Sequence, residues 1–454
     1  MAARIVDAAF ALVYLRLLGR TDVGAYTFLV VFTTYLDTLI DFGLNALLAR
    51  DISRGSVSAS AAFRVVSGLR LGLWLVGLPL VVLVYGPLRE TANISTEAAL
   101  AGWVFYVALL PTVLAKTATG LLWAAERLDL TAAVSVLATL LRTALGAAVL
   151  FAGLGLVGLA ASSLATNVVT ALVLWTFARR GAMAAQGPPA RHISWLRESW
   201  PLFVNQLLQG LFFKVDALLL PGLAGNAAAG AYAAAYKVSE GAGIVSSSFT
   251  LALFPRLSRE SDLTNAYRLA LRGLLQIAFP LAAGVALLSE SIVGVVGGRA
   301  YLPDSAIALS ILIAYLPLSY ANGLTQYVLI AAGRQRLLTA AFVAALVFNV
   351  AANLLLIPRF GFIGAAWVTV ASEVVLLVPF RMAALTVAPG VSLLREAQAP
   401  LLATLLMAPV VWWLRDAIHP LAAVAAGVIV YPLALWSVGG IDAAQRRLIA
   451  EFVR

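Results

Sequence analysis

Between Arg142 and Arg179 the chain carries no charged residue. Drawn as one α-helix, residues 143–178 would extend about 54 Å at 1.5 Å per residue, against a bilayer hydrocarbon core of about 30 Å. The stretch has to double back, and Gly153 and Gly155 mark the turn. Apolar runs of roughly 20 residues, divided by charged residues or by Gly and Pro, recur from one end of the chain to the other. Such runs fold as membrane-crossing helices, because lipid offers the backbone no hydrogen-bond partner outside the helix itself.

About 14 spans follow: 2–18, 23–48, 68–86, 98–123, 130–152, 155–178, 200–222, 228–253, 270–296, 305–330, 337–357, 361–386, 399–414 and 420–438. The expected fold class is therefore an all-α polytopic membrane protein, with no room for a soluble domain. Composition agrees, since only 11% of residues are charged where a soluble domain has about 25%. Mean hydropathy is +0.96. With no cysteine there is no disulfide, thiol chemistry or thiolate metal site, and His192 and His419, both expected in loops, make a poor metal site. The first run contains Arg4 and Asp7 and lacks a small-residue cleavage site, so it reads as a span and not a cleavable signal peptide.

The net charge is +10. Its arginines cluster at span ends, which suits topology and anionic headgroups better than nucleic acid. Alternate loops and the two termini hold 21 arginines: 4, 50, 54, 64, 70, 127, 179, 180, 191, 197, 256, 259, 268, 272, 334, 336, 381, 395, 446, 447 and 454. The opposite side holds 6: Arg16, Arg20, Arg89, Arg299, Arg359 and Arg415. That asymmetry places both termini in the cytoplasm of a multi-pass plasma-membrane protein.

The chain repeats itself at an offset of 206–207 residues. Gly19-x4-Gly24-Ala25-Tyr26 returns as Gly225-x4-Gly230-Ala231-Tyr232, and Ala124-Ala125-Glu126-Arg127 as Ala331-Ala332-Gly333-Arg334. Gly155-x2-Gly158-x-Ala160 returns as Gly361-x2-Gly364-x-Ala366. Six spans per repeat give two lobes of the same orientation, related by an axis along the membrane normal, with a cavity expected at their interface. The lobes are 1–185 and 198–386. Residues 186–197, with Gly187-Pro188-Pro189 at the start, form a cytoplasmic connector, and 387–454 add two helices and a tail.

The three lysines, Lys116, Lys214 and Lys237, and one arginine, Arg142, fall inside spans. An ionisable group at membrane depth is expensive, so it points to a substrate or ion pathway. Structural readings compete. Lys116, about eight residues from its helix end, can snorkel, and Lys237 can pair with Glu240 at i+3. Among the membrane-depth carboxylates, Asp7, Asp37, Asp41, Asp216, Glu240 and Glu373, the pair Asp37 and Asp41 shares one helix face at i and i+4. It could carry a coupling proton or hold Na⁺, or Asp41 could pair with an arginine near the span end. Asp216, Glu240 and Glu373 are further ion-coupling or ion-pair candidates. Glu373, whose repeat counterpart is Asn167, could join Asn349 and Asn353 in a polar cluster. Mid-span prolines, among them Pro111 and Pro317, should kink their helices. Gly153-x-Gly155-x-x-Gly158 matches a dinucleotide fingerprint but lies in a helix–helix turn, without a βαβ unit. No Walker A motif occurs, so this chain alone does not use ATP.

Leu15-Arg16-Leu17-Leu18-Gly19 with Val23-Gly24-Ala25-Tyr26 resembles the Arg-x-Leu-Gly…Gly-x-Tyr opening of the Wzx-like oligosaccharide flippases. These form the polysaccharide-transport branch of the multidrug/oligosaccharidyl-lipid/polysaccharide exporter superfamily. Asp41-Phe42-Gly43-Leu44 with Ala49-Arg50-Asp51-Ile52-Ser53-Arg54 is similar to the end of that family's second helix. Val215-Asp216-Ala217-Leu218-Leu219-Leu220, Gly230-Ala231-Tyr232 and Ala235-Tyr236-Lys237 resemble its seventh–eighth helix junction. Related proteins carry a longer N-terminus; with 15 residues before Arg16, a truncated start and a thin first span are expected.

The resemblance implies translocation of polyprenyl-diphosphate-linked oligosaccharide by alternating access, without a cofactor or resident metal. It also implies a monomer working with polysaccharide polymerase and glycosyltransferases of one pathway. Lys116, Arg142, Lys214 and Lys237 would frame a cationic chamber that attracts diphosphate. A lipid II flippase shares that logic, and a multidrug exporter of the same superfamily is a further alternative. A chamber of buried cations would repel cationic drugs. A membrane-embedded glycosyltransferase or polymerase is the enzyme alternative, and it has no reason to show a two-lobe repeat.

Overall fold

The computed structural model describes residues 2–181, 192–257 and 263–441, and among these there are helices and no strands. Residues 186–191 of the expected connector, and the tail from 442 with Arg446, Arg447 and Arg454, lie outside the described residues. Eleven helical stretches are long and apolar enough to cross a membrane. One of them, Gln335–Val387, has 53 residues and a non-helical Gly361 (φ 56°, ψ −135°), so it is two passes. Together with Ala2–Leu17 and Asn226–Leu257 this makes fourteen, one for each span read from the sequence. The outer faces carry the large apolar residues, Val76, Leu355, Val428 and Trp436 among the most exposed, as suits helices whose solvent is lipid. The chain is a multi-pass membrane protein.

Two compact units divide it, Met1–Ala233 and Ala234–Arg454. The first contains α1 (Ala2–Leu17), α2 (Arg20–Asp41), α3 (Leu44–Ser53), α4 (Ala59–Tyr85), α5 (Thr96–Val107) and α6 (Leu109–Ala124). It continues through α7 (Leu128–Phe151), α8 (Gly155–Gly181) and α9 (His192–Ala224) into the first turns of α10 (Asn226–Leu257). Gly153 (φ 72°) and Gly155 (φ 53°) turn the chain between α7 and α8, where its length demands a hairpin. Ser58 and Ser95 cap α4 and α5 by accepting the Ala61 and Ala98 N–H groups.

The second span is broken between α2 and α3. Phe42 (φ 48°) and Gly43 (φ 72°) both lie in the left-handed region. Phe42 is held there by stacking on Phe203 of α9, with ring centroids 4.4 Å apart. A Cβ on Gly43 would lie 2.8 Å from the Leu202 Cβ, so glycine is required here by both φ and space. Beneath the break, Leu44, Leu48, Ala118, Leu122, Trp195 and Phe203 belong to one buried apolar cluster.

The fourth span also bends, at Ala108 between α5 and α6, just ahead of Pro111. In the second unit the repeat-equivalent Pro317 follows a 3₁₀ turn, Ile313–Tyr315, which separates α13 (Asp304–Leu312) from α14 (Leu316–Ala331). A proline has no N–H for the carbonyl four residues earlier, and in both places the helix bends within that interval.

The second unit comprises the rest of α10, then α11 (Leu263–Leu287), α12 (Ser289–Val296), α13, α14 and α15 (Gln335–Val387). After these come α16 (Leu393–Ala417) and α17 (Pro420–Ser437). Gly364 lets α15 reverse tightly, since a Cβ there would lie 2.7 Å from the Leu356 carbonyl oxygen. Polar bonds dock the last two helices on the α11–α12 segment. Arg272 Nε donates to Glu396 Oε2 (2.6 Å), Gln276 Nε2 to the Gly440 carbonyl (2.9 Å), and the Tyr431 hydroxyl to the Gln276 carbonyl (2.7 Å).

Gly43→Ala and Gly55→Ala both place a methyl group at positive φ, a strain of about 1–2 kcal/mol. Only the Gly43 methyl meets a neighbour within 4 Å. Thermal unfolding of the purified protein in detergent should therefore show the larger loss for Gly43→Ala. Equal losses would mean that α9 yields at no cost.

Candidate functional site

The end of α2 places Asp37 and Asp41 one helical turn apart, and the break that follows brings Asn45 of α3 beside them. Arg70 comes from α4, and Lys116 and Thr117 from α6. Arg70 Nη1 donates to Thr117 Oγ1 (2.8 Å), and its Nη2 donates to Asp41 Oδ1 (3.1 Å) and Asn45 Oδ1 (2.9 Å). Lys116 Nζ lies 2.9 Å from Asp37 Oδ2 and 3.6 Å from Asp41 Oδ1, and it donates to the Asp37 carbonyl at 3.4 Å. Two carboxylates thus meet two cations, a neutral set. Neutrality is what membrane depth demands, because an uncompensated charge in a low-dielectric surrounding costs several kcal/mol.

The four ionic groups are graded in exposure. Arg70 is sealed at 0%, and the Asp41, Lys116 and Asp37 side chains are 15%, 25% and 33% exposed. Arg70 Nε and Asp37 Oδ1 have no hydrogen-bond partner among the described protein atoms. The Arg70–Asp41 pair is the dry end of the cluster, and Lys116–Asp37 is the end an incoming group can reach.

Two of the other membrane-depth cations, Arg142 and Lys237, are also in ion pairs. Arg142 Nη2 on α7 donates to Asp7 Oδ1 on α1 at 3.0 Å, with both side chains nearly half exposed. Asp216 on α9 is buried and accepts the Tyr232 hydroxyl and the Ala217 N–H. Lys214 is half-buried on α9. In the second unit Lys237 Nζ donates to Glu240 Oε2 at 2.9 Å, the i+3 pair of one helix face. Glu373, 2% exposed, accepts from Asn322 Nδ2 of α14 at 2.7 Å. The Asn353 amide donates to Asn349 Oδ1 at 2.7 Å.

Arg70 corrects the sequence reading that set it among the loop arginines. It lies inside α4, which starts at Ala59, nine residues ahead of the expected span. Removing it and Arg272 from their side leaves 19 arginines against 6. The signal was present in the sequence, because Leu69, Leu71 and Leu73 flank Arg70 without a polar break. Arg272 is likewise a helix residue, answered by Glu396, which is 3% exposed. Glu396 reads from sequence as a loop residue, and only the docking of α16 on α11 buries it.

The described residues form a bundle of membrane helices with several internal ion pairs, and among them no group of three or more His, Cys, Asp and Glu could hold a metal ion. Residues 1–261, more than half of the chain, match the family model described as polysaccharide biosynthesis protein. The chain belongs to that family. No curated protein sequence matches it. Its fold is similar to that of the lipid II flippase MurJ in an inward closed conformation, with TM-score 0.78, 14% identity and 98% of each chain covered. It is similar as well to an inward-facing multidrug resistance MATE family transporter of the MOP superfamily, with TM-score 0.67 and 17% identity over 85% of this chain and 94% of that one. A MOP superfamily transporter from Pyrococcus furiosus matches with TM-score 0.59 and 18% identity, over 85% of this chain and 93% of that one.

Arg70→Ala would leave Asp41 buried without its guanidinium, and a loss of about 3–5 kcal/mol is expected. A double-mutant cycle with Asp41→Ala, read by unfolding in detergent, should show coupling of at least about 1 kcal/mol. Additive losses would show that the two residues act independently.

Proposed function

We propose that the protein is a flippase that moves a polyprenyl-diphosphate-linked oligosaccharide across the plasma membrane by alternating access, for cell-surface polysaccharide synthesis. Family membership supports the pathway, and the fold supports the transport class. The observation that carries the substrate class is the pairing of membrane-depth cations with partly exposed carboxylates. At the rim of the buried Arg70–Asp41 pair, Lys116 is held by Asp37, which remains one-third exposed. A diphosphate arriving there can take the place of Asp37 on the ammonium, so that Lys116 exchanges one anion for another and is never left uncompensated. The Arg142–Asp7 and Lys237–Glu240 pairs offer the same exchange, and Lys214 adds a further cation on α9. The polyprenyl tail can stay in lipid throughout.

On this reading the carboxylates released, Asp37 first, are where a coupling proton or Na⁺ would enter; Asp41, Asp216, Glu240 and Glu373 are the other candidates. The arginine asymmetry supports cytoplasmic termini. The protein works as a monomer on membrane lipids, with glycosyltransferases that build its substrate and a polymerase that consumes its product. It needs no cofactor, resident metal or nucleic acid. The six-helix lobes 1–185 and 198–386, with 387–454 as an addition, remain the proposed repeat boundaries. A second reading, transport of lipid II, is favoured by the full-length likeness to MurJ, and it uses the same diphosphate chemistry.

Proteoliposomes loaded with either lipid test both readings. Translocation of the oligosaccharide lipid should fall at least tenfold in Lys116→Ala and in Lys237→Ala, with melting temperatures held near wild type, and Lys116→Arg should restore part of it. Preference for lipid II would favour the second reading. Unchanged movement in both alanine variants would remove the lysines from the mechanism, and export of small organic cations without lipid movement would defeat both readings.

A further inference from the structure

Gly24 and Gly230 occupy the same place in the two repeats, each followed by Ala-Tyr near the start of a helix. The structure sets them against each other. A Cβ on Gly24 would lie 2.0 Å from the Asn226 carbonyl oxygen and 2.9 Å from the Gly230 nitrogen. A Cβ on Gly230 would lie 1.9 Å from the Arg20 carbonyl oxygen and 3.2 Å from the Gly24 nitrogen. The relation is reciprocal, with each glycine facing the backbone that leads into the other's helix. Neither has a positive φ, so it is space and not conformation that excludes a side chain. Both belong to the first unit.

Around this bare crossing the bonds run from side chain to backbone. Arg20 Nε donates to the Ala227 carbonyl at 2.7 Å, and Asn226 Nδ2 donates to the Asn93 carbonyl at 2.6 Å. Asn93 Nδ2 in turn donates to the Pro221 carbonyl at 2.9 Å. The Arg20 and Asn226 contacts are exposed, so water can replace them when they part. The crossing itself interlocks no side chain. Farther along α2 the contact with α9 is of another kind, with stacked Phe42 and Phe203 and the Tyr35 hydroxyl bonded to the Gly210 carbonyl. Small residues let two helices approach closely in lipid. Here they let the two backbones meet with no room for a side chain at either glycine.

We propose that the Gly24–Gly230 crossing is a reversible seal. It closes the end of the transport path at which α2 and α10 begin, the outer end by the arginine asymmetry, and it parts once in each transport cycle. This rests on the alternating-access reading above. It adds that the repeat's own glycines set the balance between the closed and open forms. Any side chain at either position holds the helices apart and favours the open form.

The chain contains no cysteine, so thiol probes report only where they are placed. Asp22 and Ala227 are exposed and flank the crossing. Spin labels on Asp22→Cys and Ala227→Cys in proteoliposomes should give a short and a long distance. Adding Gly24→Ala or Gly230→Ala should lower the ratio of short to long at least tenfold. A bifunctional thiol reagent joining the two cysteines should stop translocation of polyprenyl-diphosphate-linked oligosaccharide, and reductive release should restore it. A single short distance that the alanine variants leave in place, or full-rate translocation across the joined pair, would overturn the seal. If the alanine variants do not fold, Arg20→Ala, which removes one rim bond and adds no bulk, should shift the distances the same way; an unshifted distribution would count against it. Distances that respond as expected while no variant moves the lipid would uphold the seal and defeat the flippase reading.

Discussion

A guanidinium that no solvent reaches has to be answered by its neighbours, and in this chain that need fixes where four helices meet. Arg70 draws Asp41 from the end of α2, Asn45 from the start of α3 and Thr117 from α6. Asp41 is the last residue of α2, where unpaired carbonyls leave a partial negative charge that a buried cation also offsets. The break at Phe42–Gly43 is what lets Asp41 and Asn45 both turn toward the same cation. The kinked span, the glycine at positive φ and the stacking of Phe42 on α9 are thus parts of one solution to one electrostatic problem. With both terminal nitrogens of Arg70 bonded, Lys116 and Asp37 stand at the accessible rim, where a pair can exchange its partner.

The second repeat keeps the helix plan and lacks the two cations of this cluster. At the repeat offset Arg70 corresponds to Gln276 and Lys116 to Asn322, while Asn167 corresponds to Glu373. Gln276 uses its amide to bind the chain after α17, and Asn322 uses its amide to bind Glu373. One scaffold therefore carries an ionic cluster in one copy and amide–carboxylate bonding in the other. Bends ahead of Pro111 and Pro317 persist in both copies, because proline acts on the backbone whatever the neighbouring side chains are.

Most of this fold was legible in the sequence, since spans are fixed by hydrophobic length and a residue such as Gly153 marks a reversal that length requires. The candidate site was legible only in part. Asp37 and Asp41 declare their shared face by spacing alone, and Lys237–Glu240 declares itself at i+3. Arg70 has leucines on both sides as its signal, yet an arginine near the end of an apolar run reads as a loop residue until the helix start is known. Glu396 and Arg272, and the meeting of Gly24 with Gly230, depend on helices far apart in sequence, and no local pattern encodes such a contact. The pairing of Lys116 with Asp37 is of the same kind, and it shows only with α2 and α6 side by side.

Lipid retention is the most direct way to ask whether exchangeable ion pairs recognise a diphosphate. Purified protein in nanodiscs would be offered a polyprenyl-diphosphate-linked oligosaccharide and the matching polyprenyl alcohol, and bound lipid would be counted by native mass spectrometry. Recognition through the paired lysines predicts at least tenfold greater retention of the diphosphate lipid, falling toward equality when Lys116 and Lys237 are both replaced by alanine. Equal retention of the two lipids by the unaltered protein would show that the chain holds its lipid by the tail, and that these cations serve only the fold.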